Sequence, residues 1–401
     1  MNLLLILTDQ HTADALSCAG NPYLSTPSLD ALAARGTRFS RAYCAQPLCT
    51  PSRASLMTGR MPTEVGVTRN EDAPADLSGT LGVRFREAGY DCGYAGKWHL
   101  PELDVPPESG FERLHGAGDE GLVDACRAFL ARPRERPYLL VASFTEPHGI
   151  CQVARGQHPP SGPLDPARPG EWPPLPPNHA VGGYDAELPR IAQRAQPHSY
   201  PTQSWDDDDW RAYRHAYYRL VERADAMVGE LLDAAGPDTF VLFTADHGDQ
   251  AGAHRWNQKW VLHEECLSVP LIISRGAGLV DDRLVNNGLD VLPTLLHAAG
   301  LESGPSLLSP AAAREAVFAE TEWVVPGVQH LTGRSVRTDR YRYTCYAWGR
   351  HREQLFDLRA DPGELVNLAT TGAYGEALAH HRTLLGDHVV ATGDRFARFL
   401  P

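Results

Sequence analysis

The chain has 401 residues and a formal net charge of −13, with 42% hydrophobic and 22% charged residues. That balance is the composition of a globular protein and excludes a disordered or collagen-like chain. An acidic chain without basic tracts argues against nucleic acid or an anionic membrane surface as partner, and no apolar run reaches the roughly 18–20 residues that span a bilayer.

Taken in chain order, the N-terminal apolar run Leu3–Leu7 has no basic leader and no small-residue cleavage site, so it reads as a first strand and not an export signal. Without such a signal, the eight cysteines (18, 44, 49, 92, 126, 151, 266 and 345) are expected to be reduced thiols in a cytoplasm. Further apolar runs at Asp91–Ala95, Tyr138–Phe144, Thr239–Thr244 and Leu271–Ser274 alternate with helical patterns. They predict a mostly parallel sheet covered on both faces. Twelve prolines between Pro159 and Pro201 mark an extended surface excursion, about residues 150–205, expected to wall the substrate side. A helix is predicted from Asp206 to Ala235. Trp210, Tyr213, Tyr217, Leu220, Ala224, Met227 and Leu231 form its buried stripe, four aspartates stand at its start, and Gly236 follows its end. Glu302-Ser-Gly-Pro-Ser marks a boundary that divides the chain into 1–303 and 304–401. Beyond it, strand-like pieces at Ala316–Ala319, Tyr341–Tyr346 and Gln354–Leu358 and a helix near Tyr374–Val390 predict a small antiparallel sheet packed on a helix.

Four polar clusters each follow a predicted strand: Asp9-Gln10, Lys97-Trp-His99, Glu146-Pro-His148 and Asp246-His-Gly-Asp249. One alone would be a satisfied loop or capping residue. Four together converge on one rim, because ligands of open α/β sheets bind outside the carboxyl ends of the strands. Asp9 and Asp246 are hard oxygen ligands suited to Ca²⁺ or Mg²⁺, and Asp249 reads as a helix cap. In Cys49-Thr-Pro-Ser-Arg-Ala-Ser-Leu-Met-Thr-Gly-Arg60, Thr50 is the expected cap of a helix that starts with Pro51 and stops before Gly59. Cys49 then sits at the positive end of that helix with Arg53 one turn on, either as an activated nucleophile or as a small buried side chain.

This twelve-residue stretch resembles the type I sulfatase motif. Cys18-Ala-Gly-Asn21, Thr26-Pro-Ser-Leu-Asp30, Gly96-Lys-Trp-His99, Phe144-Thr-Glu-Pro-His148, Leu289-Asp-Val-Leu-Pro-Thr294 and Gln354-Leu-Phe-Asp-Leu358 are similar to further segments of that family. The resemblance covers nearly the whole chain, least in 150–205. It implies the alkaline-phosphatase-like α/β fold: a large mixed, mostly parallel sheet sandwiched by helices, plus a small C-terminal α+β subdomain with an antiparallel sheet. It implies that a formylglycine-generating enzyme oxidises Cys49 to formylglycine, whose hydrate attacks the sulfate ester of a saccharide or small organic molecule. One divalent cation is implied, Ca²⁺ first with Mn²⁺ or Mg²⁺ as alternatives, held by Asp9, Gln10, the group at Cys49, Asp246 and His247. Gln10 departs from the second Asp found in many members. Lys97, His148 and Lys259 are implied to bind sulfate, with Arg53 and His99 completing the catalytic set; the leaving oxygen takes its proton from His148 or Lys259. Two other readings stand beside it, a phosphonate monoester or phosphodiester hydrolase on the same site and a catalytically silent sulfate- or glycan-binding protein. No nucleic acid or membrane partner is expected, and a homo-oligomer is compatible with the family.

Overall fold

The structure, a computed structural model, describes residues 1–74, 78–100, 104–164, 172–302, 305–309 and 313–401. Strand β1, Leu3–Asp9, shows why the first apolar run is unbroken. Leu3, Leu5 and Leu7 enter one core while Leu4 and Ile6 enter another, so alternate side chains meet apolar neighbours on both faces. The other strands of its sheet are β2 (Thr37–Tyr43), β3 (Asp91–Gly96), β4 (Glu112–His115), β5 (Tyr138–Pro147), β6 (Phe240–Ala245), β7 (Leu271–Ile273) and β8 (Leu279–Asn286). The eight stand in the order β4-β3-β5-β1-β6-β7-β2-β8, and only β7 runs antiparallel to its neighbours. Helices Pro27–Arg35, Leu122–Leu130 and Asp207–Ala235 cover one face; Cys49–Thr58, Leu81–Glu87 and Asn287–Ala299 cover the other. This is the large, mostly parallel sheet between helices expected from the sequence.

A second, antiparallel sheet follows in the order β12-β11-β10-β9, from β9 (Val317–Glu322), β10 (Thr332–Arg337), β11 (Tyr341–Tyr346) and β12 (Glu353–Asp357). Helix Gly375–Ala391 packs on it through Leu385 and Val389. Its Val336, Tyr343 and Leu355 belong to the same apolar cluster as Leu3, Leu5 and Leu7, so one core runs through both sheets. The expected boundary at 303/304 and residues 165–171 of the Pro-rich excursion lie outside the described residues.

Several details differ from expectation. Strands β2, β4, β8 and β10 carry arginines or acids that break up their apolar runs; Arg334 of β10 is buried because Asp394 neutralises it. Met227 is only partly covered, and Val228 takes its place in the long helix's stripe. That helix starts at Asp207, with Asp206 as the cap accepting from the N–H groups of Asp208 and Asp209. Pro293 falls in the second turn of the helix that begins at Asn287. The excursion contains a helix, Glu187–Ala195, that its prolines concealed. All eight cysteines are free thiols, and among the described residues no helix is long and apolar enough to cross a membrane.

Candidate active site

Strands β3, β5, β1 and β6 are adjacent and parallel, so their carboxyl ends share one edge. The register sets Gly96, Ser143, Leu7 and Thr244 side by side across that edge. Lys97, Asp9 and Asp246, one or two residues further on, and His148, just past the end of β5, therefore emerge above one line of backbone. Gly96 is required there: its φ is +97° and a Cβ would lie 2.0 Å from the Ser143 carbonyl oxygen. The close approach lets the Lys97 N–H donate to that carbonyl at 2.9 Å.

Helix Cys49–Thr58 delivers the cysteine to the same rim. It starts two residues earlier than expected, with Leu48 at its cap and no side-chain cap. Thr50 is not the cap. Its N–H donates to Asn70 Oδ1 at 3.1 Å and its hydroxyl donates to the Asn70 carbonyl at 3.4 Å, so a distant loop satisfies the helix start. Gly59 ends the helix in the left-handed region, as expected. Ser52 ties the helix to the opposite loop by donating to the Asp246 carbonyl.

Cys49 Sγ lies 3.0 Å from Lys259 Nζ, 3.3 Å from His247 Nε2, 3.7 Å from Lys97 Nζ and 3.8 Å from Asp9 Oδ1. His247 Nε2 is also 3.9 Å from Asp9 Oδ1 and 3.7 Å from Asp246 Oδ1. Four buried donor atoms thus face one another at the spacing of ligands around a single divalent cation. The His247 ring suits that role: Nδ1 is 3.0 Å from the Gly248 carbonyl, to which it donates, leaving the Nε2 lone pair toward the cluster. The outer carboxylate oxygens are held from behind. Arg53 donates through Nη2 to Asp9 Oδ2 at 3.0 Å and through Nε to Asp246 Oδ2 at 2.9 Å. Its Nη1 donates to the Lys97 carbonyl at 2.7 Å and to Ser143 Oγ at 2.8 Å. Lys97 Nζ adds a contact of 2.5 Å to Asp9 Oδ2.

Charge dominates the proton equilibria here. Burial alone would push the Cys49 thiol up, but Lys259 and then Lys97 hold it well below its ordinary value. Asp9 is likewise held down, against burial and Cys49, by Lys97, His148 and Lys259. Burial, then Lys259 and Lys97, lowers His148 to about 4, so its ring is neutral near pH 7.

Asp9, Cys49, Arg53, Lys97, Asp246, His247 and Lys259 therefore meet around one point, with His148 near enough to bond Cys49. Two expected members stand apart. The Gln10 side chain is turned away from the cluster: its Nε2 donates to Asp249 Oδ2 at 2.7 Å and its Oε1 faces Cys151 Sγ at 3.5 Å. Only its main-chain N–H reaches the cluster, at Asp246 Oδ1, 3.1 Å away. His99 is half-buried with φ of +56°, and its Nδ1 is buried without a partner. Asp249 caps no helix; it anchors Gln10 while accepting from Tyr213 Oη at 3.0 Å and the Ala251 N–H at 2.6 Å. The roles of Asn70 and Ser143, and the partners of Asp249, were not legible in the sequence, since each acts on a residue far along the chain.

Comparison with known proteins agrees with this geometry. The sulfatase family model matches residues 1–301, and the model for the C-terminal part of N-sulphoglucosamine sulphohydrolase matches 252–388. A delta 4,5-hexuronate-2-O-sulfatase of Bacteroides thetaiotaomicron is 31% identical over 98% of this chain and 90% of its own length. The solved structure of a 2-O GAG sulfatase superposes with a TM-score of 0.87 at 28% identity, covering 99% of this chain and 93% of the other. A phosphonate monoester hydrolase of Agrobacterium radiobacter shares the fold, with a TM-score of 0.80 at 22% identity over 98% of this chain and 96% of its own. With its strand-end clusters, its buried cysteine at a helix start and these relatives, the chain belongs to the sulfatase family and is a sulfuric ester hydrolase.

Proposed function

We propose that this enzyme removes the sulfate ester of an anionic, uronate-containing saccharide through a formylglycine made from Cys49. The observation that carries the mechanism is the position of Cys49 Sγ, between Lys259 and Lys97 on one side and Asp9 and His247 on the other. Sγ stands in for one hydroxyl of the hydrated aldehyde. That hydroxyl attacks sulfur, the sulfur–oxygen bond to the sugar breaks, and the sugar oxygen leaves with a proton. The second hydroxyl then loses its proton, the carbon–oxygen double bond re-forms, and sulfate departs.

Lys97 and Lys259 hold the non-bridging sulfate oxygens and offset the charge that develops on the leaving oxygen. Lys259 or His148 supplies the leaving group's proton; His148, neutral near pH 7, is suited to a hydrogen bond from its N–H. Arg53 fixes both aspartates so that their inner oxygens face the nucleophile. Asp9, Asp246, His247 and the Cys49-derived group fit one divalent cation by donor type and spacing, and Gln10 supports Asp246 through its main chain. When bound, the cation supplies Lewis-acid polarisation of a sulfate oxygen. Two carboxylates and an imidazole suit Ca²⁺, with Mn²⁺ as the alternative that the nitrogen donor favours.

The hexuronate sulfatase relative supports the substrate class. The test is sulfate release from a panel: an unsaturated uronate 2-sulfate disaccharide, a sulfated amino sugar, an aryl sulfate and an aryl phosphonate. The uronate disaccharide is expected to have the highest kcat/KM and the phosphonate the lowest. A higher kcat/KM on the phosphonate than on every sulfate ester would overturn the reading.

A further inference from the structure

A cavity of about 470 Å³ opens between the loop Thr63–Asp72 of the catalytic region and the C-terminal segment Gly393–Phe399. Four guanidinium groups line it, and they fall into two kinds. Arg334 is bound by Asp394 at 2.5 Å, and Arg69 lies 3.5 Å from Asp72 and 3.7 Å from Glu322. Arg395 and Arg398 make no ion pair with any carboxylate among the described residues. Both are exposed, so their guanidinium groups are free to meet an external anion.

These two arginines stand on a firm base. They occupy the 3₁₀-helix Arg395–Phe399, where residues three apart eclipse, so both forks project from one side. Asp394 caps that helix by accepting from the Phe396 N–H at 2.9 Å, and Phe396 is buried beneath the Arg334 guanidinium. Arg398 lies over the Phe399 ring, 4.7 Å from its centroid, and donates to His330 Nδ1 at 3.2 Å. His330 therefore carries its own proton on Nε2 when neutral, which adds a further donor at the mouth.

Two residues that line the cavity, Arg69 and Glu322, are chain neighbours of residues bonded beside the reacting centre. Arg69 precedes Asn70, which accepts from the N–H of Thr50, the residue after Cys49. Glu322 follows Thr321, whose hydroxyl donates at 2.6 Å to the carbonyl of Trp260, the residue after Lys259.

We propose that Arg395 and Arg398, with His330, bind a second anionic group, carboxylate or sulfate, on the sugar next to the one that loses its sulfate. The assignment rests on the saccharide reading above and makes the enzyme selective for polyanionic saccharides of at least two units. Planar guanidinium forks match either oxyanion bidentately.

The test uses the matured full-length enzyme and its Arg395→Ala/Arg398→Ala variant on three substrates: para-nitrophenyl sulfate, a sulfated disaccharide with a uronate carboxylate, and one with a second sulfate in its place. The aryl sulfate should be turned over with unchanged kcat/KM. KM for a disaccharide should rise by roughly tenfold or more with kcat unchanged, as expected for losing charged hydrogen bonds. Arg395→Lys/Arg398→Lys should restore part of the loss. The disaccharide that responds more identifies the anion, and an unchanged KM for both overturns the proposal. Equilibrium binding of the same disaccharides to Cys49→Ala protein, with and without the two arginines, separates the two claims. Loss of binding without the arginines upholds the anion site even if no sulfate is ever released, and equal binding removes it even if hydrolysis is fast.

Discussion

Arg53 is the residue on which the site's electrostatics turn. It is fully buried, and its guanidinium joins Asp9 to Asp246 while holding the Lys97 carbonyl and Ser143. Removing it leaves two buried carboxylates short of their partner, so Arg53→Met should cost about 3–5 kcal/mol in urea unfolding as well as activity. A loss under 1 kcal/mol would show that water or Lys97 replaces it. Lys259, by contrast, faces the nucleophile and props up little else. Lys259→Ala should lower kcat/KM by roughly 10²–10³ while the melting temperature stays near that of the parent; an unchanged rate would remove it from the mechanism. At this scale the sequence told most where a chemical side chain directly followed an apolar strand, as with Asp9, Lys97 and Asp246. It told least where a contact closes a long loop: Gln10 and Asp249 lie 239 positions apart, and Asn70 reaches Thr50 from a turn with no pattern.

Among the elements, the loop that carries Lys259 behaves least like its sequence. Five non-glycine residues between Ala251 and Trp260 have positive φ (Ala251, His254, Arg255, Gln258 and Trp260). Such a backbone persists only when its surroundings over-determine it. Here Arg190 donates to the His254 carbonyl at 2.8 Å, the His254 N–H donates to the Asn178 carbonyl at 2.7 Å, and Glu364 accepts from the Glu264 N–H at 2.8 Å beside His263. No periodicity could reveal a conformation fixed by outside partners. Glu364 is the pin that can be titrated. Burial opposes its charge, but Arg342 and then His263 lower it to about 2. A depressed carboxylate contributes stability above its unfolded pKa near 4.3 and loses it as pH falls toward 2. Glu364→Gln should therefore be about 3 kcal/mol less stable at pH 7, and the gap should close between pH 5 and pH 2. A gap independent of pH would mean that Glu364 acts by shape and not by charge. The same variant should lower kcat more than it raises KM, because it loosens Lys259 without touching substrate.

At the scale of the whole molecule, the order of apolar runs predicted a parallel sheet because strands buried on both faces cannot hide their composition. The strands that escaped notice, β2, β4, β8 and β10, carry charged residues, several of them paired far along the chain, as Arg41 pairs with Asp339, Glu112 with Arg132 and Arg334 with Asp394. The two sheets share one apolar cluster, and Arg342 of β11 is 2.6 Å from Glu364 and bonded to Glu264. Calorimetry should thus show a single unfolding transition; a separate early transition for the C-terminal sheet would contradict a common core. That core holds four strand ends in line, and the line presents a nucleophile to two lysines and a cation-binding set. The most direct measurement is sulfate release from a sulfate ester by protein matured with a formylglycine-generating enzyme, beside Cys49→Ala prepared in the same way. The account predicts turnover by the first and only the uncatalysed rate with the second, both melting at similar temperatures. Equal turnover by the two would contradict it.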